Sequence, residues 1–252
     1  MKVTVLGCGT SHGVPRIGGY WGDCDPTEPK NRRSRVSIAV EHSGKRLLVD
    51  TTPDLRTQLL AADIGSVDAV FYTHDHADHT HGIDDLRGLF HAMGKPVDVY
   101  ASERTLAILK ERFGYVFKGA TGYPAIAQGH TLTVGGPTPI DDLQVQSFSL
   151  QHGTIESVGF RIGAMAYTTD FNEIPPQSES YLEGLDVWIV DALRRRPHPS
   201  HPHLDLTLGW IDRYKPKRAF LTHMAWDMDY QTLCKELPLH IRPAYDGLVI
   251  DC

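Results

Sequence analysis

The sequence predicts an α/β domain in which two sheets lie back to back under a cover of helices. Two observations carry this. Short runs rich in β-branched residues occur in both halves of the chain, and helical segments lie between the strands of each half, which is the pattern of layers packed around a shared core. The length of 252 residues and a hydrophobic fraction of 41% suit one domain with a sizeable core, so residues 1–252 read as a single unit.

Residues 2–8 (KVTVLGC) form a buried strand by their β-branched content, and Gly7, Gly9, Gly13 and Pro15 then turn the chain. A Gly-rich turn after a strand imitates a dinucleotide-binding fingerprint, but that site needs a helix N-terminus to receive the pyrophosphate. Here Pro15, Gly18, Gly19, Pro26 and Pro29 keep the chain irregular to about residue 34, which argues for a surface loop. Runs 35–42 and 46–50, joined by Ser43-Gly44-Lys45, make a hairpin ending at Asp50, and 54–62 a short helix. The apolar run 67–73 is a central strand that delivers the chain into His74. Strand 97–101 precedes a helix capped by Ser102, with Glu103 in its first turn. Residues 113–140, rich in Gly, Pro and Thr, read as an excursion outside the core. Strands 143–150, 157–162 and 165–169 follow on tight links, and the last third reads as strand 187–190, helix 205–214, strand 219–222, helix 227–237 and strand 248–250.

Lys and Arg number 25 against 31 Asp and Glu, a formal net charge of −6, so no global positive field exists to hold a long nucleic acid. Cys8, Cys24, Cys234 and Cys252 lack close spacing, which argues against a disulfide framework and a CxxC zinc knuckle. No apolar run approaches the roughly 18 residues of a membrane helix, and no signal-peptide core follows Met1-Lys2. The expected location is cytoplasmic. The count out of line is 14 His.

Segment 73–82 (THDHADHTHG) places four His and two Asp within eight positions. A solvated loop does not reach that density by accident. His74 and His76, two apart at a strand end, can point to one side, while Asp78 and His79 lie past the turn and can face a second centre. Imidazole and carboxylate suit zinc, manganese or iron, and a catalytic ion keeps one position open for water. Four local ligands are too few for two ions, so others must arrive from a distance. Three positions share one signal, a polar residue just after a β-rich run: His152, Asp170 and His223. Strand ends gather at one rim of a sheet, so these can converge on 74–79. His12 and His81 are candidates for hydrogen bonding to the ligands.

The order His74-x-His76-x-Asp78-His79, then His152, Asp170 and His223, resembles the metal pattern of the metallo-β-lactamase superfamily and covers nearly the whole chain. Segments 6–15 (LGCGTSHGVP), 29–35 (PKNRRSR) and 245–247 (YDG) are similar to its PhnP-like phosphodiesterase branch. The resemblance implies an αββα sandwich of two mixed sheets flanked by helices, with a dinuclear site. His74, His76 and His152 would hold one metal, Asp78, His79 and His223 the other, and Asp170 would bridge them. Two divalent ions, manganese or zinc, are implied, and the same donors admit iron. The sequence departs from the PhnP pattern in one place. That pattern carries a structural zinc on closely spaced Cys near the amino terminus and a second His after the last ligand, whereas here Cys24 stands alone and Trp226 replaces the His. No structural zinc is expected.

A hydroxide bridging two metals would be the nucleophile, with both ions clamping the phosphoryl oxygens. Asp78 is placed among the catalytic residues as well as the ligands. The leaving group still needs a proton, and segment 194–205 (RRRPHPSHPHLD) offers three His on a Pro-stiffened loop. By resemblance the acid precedes the helix that starts at Leu204-Asp205, which fits His201, with His203 as the second candidate and a substrate contact. Of the three consecutive guanidinium groups, Arg194 is assigned to a substrate phosphate. Arg32, Arg33 and Arg35 read as a solvated charged face.

The expected activity is hydrolysis of small phosphodiesters, either cyclic or nucleotide-sized. The alternative on the same site is cleavage of an acyl bond in a lactone, β-lactam or thioester. A tRNA 3′-processing nuclease shares the metal pattern but needs a basic arm, and 113–140 supplies only Lys118 as a cation. A silent metal-binding module would be expected to lose ligands, and all seven are present. The expected partner is therefore a small phosphodiester or nucleotide-like substrate, with neither long nucleic acid nor membrane. The oligomeric state stays open, a dimer being one option.

Overall fold

The computed structural model describes residues 1–252. In chain order its elements are β1 (Lys2–Gly7), β2 (Ser37–His42), β3 (Lys45–Val49), α1 (Leu55–Ala61), β4 (Ala69–Phe71), α2 (Ala77–Thr80), α3 (Leu86–Met93), β5 (Val97–Ala101), α4 (Glu103–Arg112), α5 (Gly114–Lys118), β6 (Ala127–Thr131), β7 (Pro137–Ile140), β8 (Leu143–His152), β9 (Ile155–Ile162), β10 (Met165–Thr168), β11 (Val187–Asp191), α6 (Leu204–Tyr214), β12 (Arg218–Thr222), α7 (Tyr230–Glu236), β13 (Ile241–Pro243) and β14 (Val249–Asp251). The strands form two seven-stranded sheets, in the orders β14-β1-β2-β3-β4-β5-β6 and β13-β12-β11-β10-β9-β8-β7. Both are mixed. In the first, β1 to β3 pair antiparallel and β3 to β6 parallel; in the second, β7 to β10 pair antiparallel and β10 to β13 parallel.

The period of two along a strand assigns the layers. On β3, Leu47 and Val49 join the large apolar core shared with the second sheet, while Leu48 joins a separate core under the helices. Phe71 of β4 meets Phe160 of β9 edge to face across the sandwich, with centroids 5.4 Å apart. On the outer face, α1, α3 and α4 bury Leu55, Leu59, Leu86, Leu89 and Leu109 with Leu48, Val70 and Tyr72. Leu204 and Ile211 of α6 and Leu233 of α7 enter the large core with the second sheet. No helix is long and apolar enough to cross a membrane.

Residues 113–140 correct the expectation of an excursion. They form α5, β6 and β7, the two strands closing one edge of each sheet, and Val116, Ile126, Ala127, Leu132 and Ile140 are buried. Strand β6 begins Ala127-Gln128-Gly129, which has little intrinsic strand preference; it is extended because its backbone pairs with β5. Its Gly129 is a packing requirement, since a Cβ there would fall 2.8 Å from Leu106 Cδ1. Strand direction then positions the functional residues. Because β8 and β10 both run antiparallel to β9, β8 shares its direction with β10, β11 and β12, and the C-terminal ends of all four open on one edge.

Candidate metal centre

Every predicted ligand lies at or just past a strand end. Strand β4 continues through Tyr72-Thr73 into His74, and His76 is the N-cap of α2, which carries Asp78 and His79. Strand β8 ends on His152, Asp170 follows β10 by two residues, and His223 follows β12 directly. The chain must leave each strand sharply to aim these side chains inward. Asp170 and His223 do so with φ of 53° and 56°, and Asp50 after β3 with 65°. Non-glycine residues rarely adopt this left-handed region, and such strain costs about 1–3 kcal/mol where the surroundings enforce it.

The structure brings all seven predicted ligands together. His74, His76, His152 and Asp170 form one group and Asp78, His79, Asp170 and His223 another, with the ligand atoms of each group within 4.8 Å of one another. Asp170 belongs to both through different oxygens. Its Oδ1 lies 3.2 Å from His79 Nε2 and 3.4 Å from His223 Nε2, and its Oδ2 lies 3.8 Å from His74 Nε2 and 3.9 Å from His152 Nε2. Asp78 Oδ2 stands 3.4 Å from His79 Nε2 and 3.7 Å from His223 Nε2, and His76 Nδ1 stands 3.4 Å from His152 Nε2.

Hydrogen bonds on the far nitrogens aim the rings. His79 Nδ1 donates to Asp50 Oδ2 at 2.7 Å and His152 Nδ1 to the Ser200 carbonyl at 2.7 Å. Asp50 accepts in turn from Thr73 N and Thr73 Oγ1, both at 2.8 Å, leaving that hydroxyl to accept from His74 Nδ1 at 3.0 Å. With Nδ1 engaged in all three, Nε2 is the nitrogen that faces the centre. Nε2 of His74, His79 and His223 is buried without a hydrogen-bond partner. An orphaned buried polar atom costs about 1–3 kcal/mol; coordination to a divalent cation would satisfy all three, and the nitrogen and carboxylate donors fit such an ion.

Ionisation is consistent with this fit. Burial, reinforced by His79, holds His74 well below the usual imidazole range, and burial also lowers His152. Burial pushes His79 and His223 down as well, but Asp170 with the other nearby carboxylates outweighs it, taking His79 well above the usual range and His223 up to about 9. Asp78 and Asp170 fall below the usual carboxylate range despite burial, chiefly through His79 and His223 respectively. The metal-free centre thus holds protons that an incoming cation would displace.

His201 stands at the edge of the cluster. Its Nδ1 donates to Asp191 Oδ2 at 3.0 Å, its Nε2 lies 3.8 Å from Asp170 Oδ2, and its ring stacks on His223 at 4.8 Å and 7°. Asp191 also accepts from Asp170 N at 3.0 Å. His203 takes another position: it is the N-cap of α6, and its carbonyl accepts from Thr207 N at 3.1 Å. Arg194, the expected substrate contact, lies on the same loop. Its Nε and Nη2 donate to the carbonyls of Arg196 and Pro197 at 3.0 and 2.6 Å, bracing a Pro-rich loop whose carbonyls have few backbone N–H groups to meet.

Arg33 departs from the expected solvated face, since it is buried. It donates to the carbonyls of Ala225 at 3.2 Å and Met228 at 2.6 Å and to Asn31 Oδ1 at 3.3 Å, tying the segment after His223 to the amino-terminal loop. Cys24 Sγ lies 3.9 Å from the same guanidinium. His12 and His81 are exposed and lie against Ser11 and Phe113 instead of the ligands. The supporting residues Asp50, Thr73, Asp191 and Ser200 were not anticipated. Asp50 and Asp191 carry the signal that singled out Asp170, an Asp closing a β-rich run.

Two mixed sheets flanked by helices, with His and Asp clustered where the strands end, are the αββα sandwich of the metallo-β-lactamase fold. The chain belongs to the metallo-β-lactamase superfamily, PhnP-like branch: residues 45–224 match the family model described as a beta-lactamase superfamily domain. The crystal structure of a diphosphatase from the PhnP family aligns with a TM-score of 0.91 at 38% identity, covering 100% of this chain and 97% of that one. The octanoyltransferase of Porphyromonas gingivalis is 34% identical over 253 residues, 98% of this chain and 51% of that protein. Exodeoxyribonuclease WalJ of Streptococcus pneumoniae is 26% identical over 165 residues, 62% of this chain and 57% of that protein. The chain spans about half the length of these two curated relatives.

Proposed function

We propose that the protein hydrolyses phosphodiester or diphosphate bonds in small, nucleotide-sized substrates with the aid of two divalent cations. The observation that carries this reading is His201, a ring anchored on Asp191 with its free nitrogen 3.8 Å from Asp170. His74, His76, His152 and Asp170 would hold one ion, and Asp78, His79, His223 and Asp170 the other. When bound, such ions acidify water and draw charge from phosphoryl oxygens.

His201 supplies the proton for the leaving oxygen. Asp191 occupies Nδ1, so the proton that can move sits on Nε2, and general-acid assistance is worth about 10²–10⁴-fold. Asp191 also fixes the Asp170 backbone, which keeps acid and ligand in register. Thr73 and Asp50 hold His74 and His79 in the ligating tautomer, and Arg33 holds the segment that follows His223. Similarity to a diphosphatase and, more distantly, to an exodeoxyribonuclease favours chemistry at phosphorus. The net charge of −6 favours a small substrate over a long nucleic acid.

Acyl-bond cleavage is the second reading, supported by the octanoyltransferase relative, of which this chain matches 51%. Rates on bis(p-nitrophenyl) phosphate, a chromogenic lactam and a thioester, each with manganese and with zinc, separate the two. Turnover of the phosphate ester is expected, and turnover of the acyl compounds alone would overturn the phosphoryl reading.

A further inference from the structure

We infer that loop 11–22 forms a subsite beside the metal centre that binds a substrate nucleotide, taking its base on Tyr20 and Ile17 and an anionic oxygen on Arg16. The inference rests on the phosphoryl-hydrolase reading and names the substrate group held away from the scissile bond. The Arg16 guanidinium lies 4.0 Å from the Trp226 ring centroid and 4.2 Å from that of Tyr20. Those two rings meet edge to face at 6.1 Å and 70°, forming a corner around it. Arg32 lies over Trp21 in the same way, at 5.1 Å. Arg35, Arg195 and Arg213 form ion pairs with carboxylates, whereas Arg16 and Arg32 have aromatic faces in place of a counter-ion. A guanidinium stacked on a ring keeps its N–H edge free for an anion.

Arg16, Tyr20, His12 and Ile17 line an open hollow of about 380 Å³. Ile17 is fully exposed and Tyr20 is 48% exposed. A single exposed Ile needs no explanation. Beside a half-exposed Tyr and a guanidinium without a carboxylate, it completes an apolar face next to an anion-binding fork, which matches a planar base and its phosphate. The turn is closed by Gly19 N donating to Arg16 O and Arg16 N to Tyr20 O, both at 3.0 Å, with Gly18 and Gly19 at φ of 90° and 75°.

The loop springs from the centre itself. Met224 N donates to Cys8 O at 2.9 Å and Thr10 N to Met224 O at 3.2 Å, so the segment leading into the loop is bonded to the residue after His223. Trp226, the back wall of the corner, is three residues beyond His223, a span of at most about 11 Å of chain. The corner is thus joined to the ligand segment by a short stretch of chain.

The test compares manganese-loaded enzyme on thymidine 5′-(p-nitrophenyl phosphate) and on methyl p-nitrophenyl phosphate, which keeps the scissile bond and lacks the nucleotide. Arg16→Ala and Tyr20→Ala should each lower the ratio of kcat/KM between the two esters about tenfold, mainly through KM, while Tyr20→Phe preserves it. Equal losses on both esters, or an unchanged ratio, overturn the subsite. Should the wild type turn over neither ester, the phosphoryl reading fails, and calorimetry with thymidine 5′-monophosphate decides the subsite by itself. Binding about tenfold weaker in Arg16→Ala sustains it; equal binding by both proteins, or none by the wild type, overturns it.

Discussion

The centre is assembled from two rims that meet the same requirement by different means. On the first sheet, His74, His76, Asp78 and His79 come from six consecutive positions, and the rings of His74 and His79 are set by Thr73 and by Asp50 on the neighbouring strand exit. On the second sheet, His152, Asp170 and His223 come from three separate strands. Each has its own support: Ser200 for His152, Asp191 for Asp170, and Arg33 for the segment after His223. One rim draws its side chains from a single local motif, and the other gathers them from three strands. Loss of Asp170, which serves both ligand groups, should therefore reach both, while loss of any other single ligand should stay within its own group.

Asp170→Ala gives the largest expected effect, loss of both metal equivalents and of more activity than any other single change. His76→Ala should lose chiefly one equivalent. Metal content measured beside phosphodiesterase rate checks this, and an Asp170→Ala protein that kept both ions would break the comparison. Next, His201→Ala should slow alkyl phosphodiesters about 10²–10⁴-fold with metal content unchanged. Its effect on p-nitrophenyl esters should be smaller, because that leaving group departs without a proton.

Asp50→Asn and Asp191→Asn should each cost about 10–100-fold in metal affinity or rate. The two differ in a readable way. Asp191 braces the proton donor, so its deficit should grow as the leaving group becomes more basic, while that of Asp50→Asn stays flat; parallel slopes would erase the distinction between the rims. The smallest effect belongs to Arg194→Ala, which should leave kcat/KM within about twofold. A tenfold loss there would instead make Arg194 a substrate contact.

The first rim was legible in the sequence because adjacency alone betrays it. His152, Asp170 and His223 were legible through the β-rich runs that precede them. Asp50 and Asp191 end runs of the same kind, yet a linear pattern does not distinguish a group that faces the ligands' centre from one that faces a histidine's far nitrogen. That depends on where the ring of His79 or His201 comes to rest. Arg33 was misread for a related reason. It lies in a charged run, and its surroundings are decided by the carbonyls of Ala225 and Met228, nearly two hundred residues away. Residues 113–140 escaped because β6 takes its extended form from pairing with β5, which residue preference does not reveal.

The left-handed backbone at Asp50, Asp170 and His223 bears on how the protein should be engineered. Glycine at any of these codons would relax the main chain while deleting the working side chain, so a library ranked on heat tolerance or yield would reward inactive clones. Selection on turnover would discard the same clones. Stabilisation campaigns on this scaffold should freeze the three strand exits and look for gains in surface loops far from them.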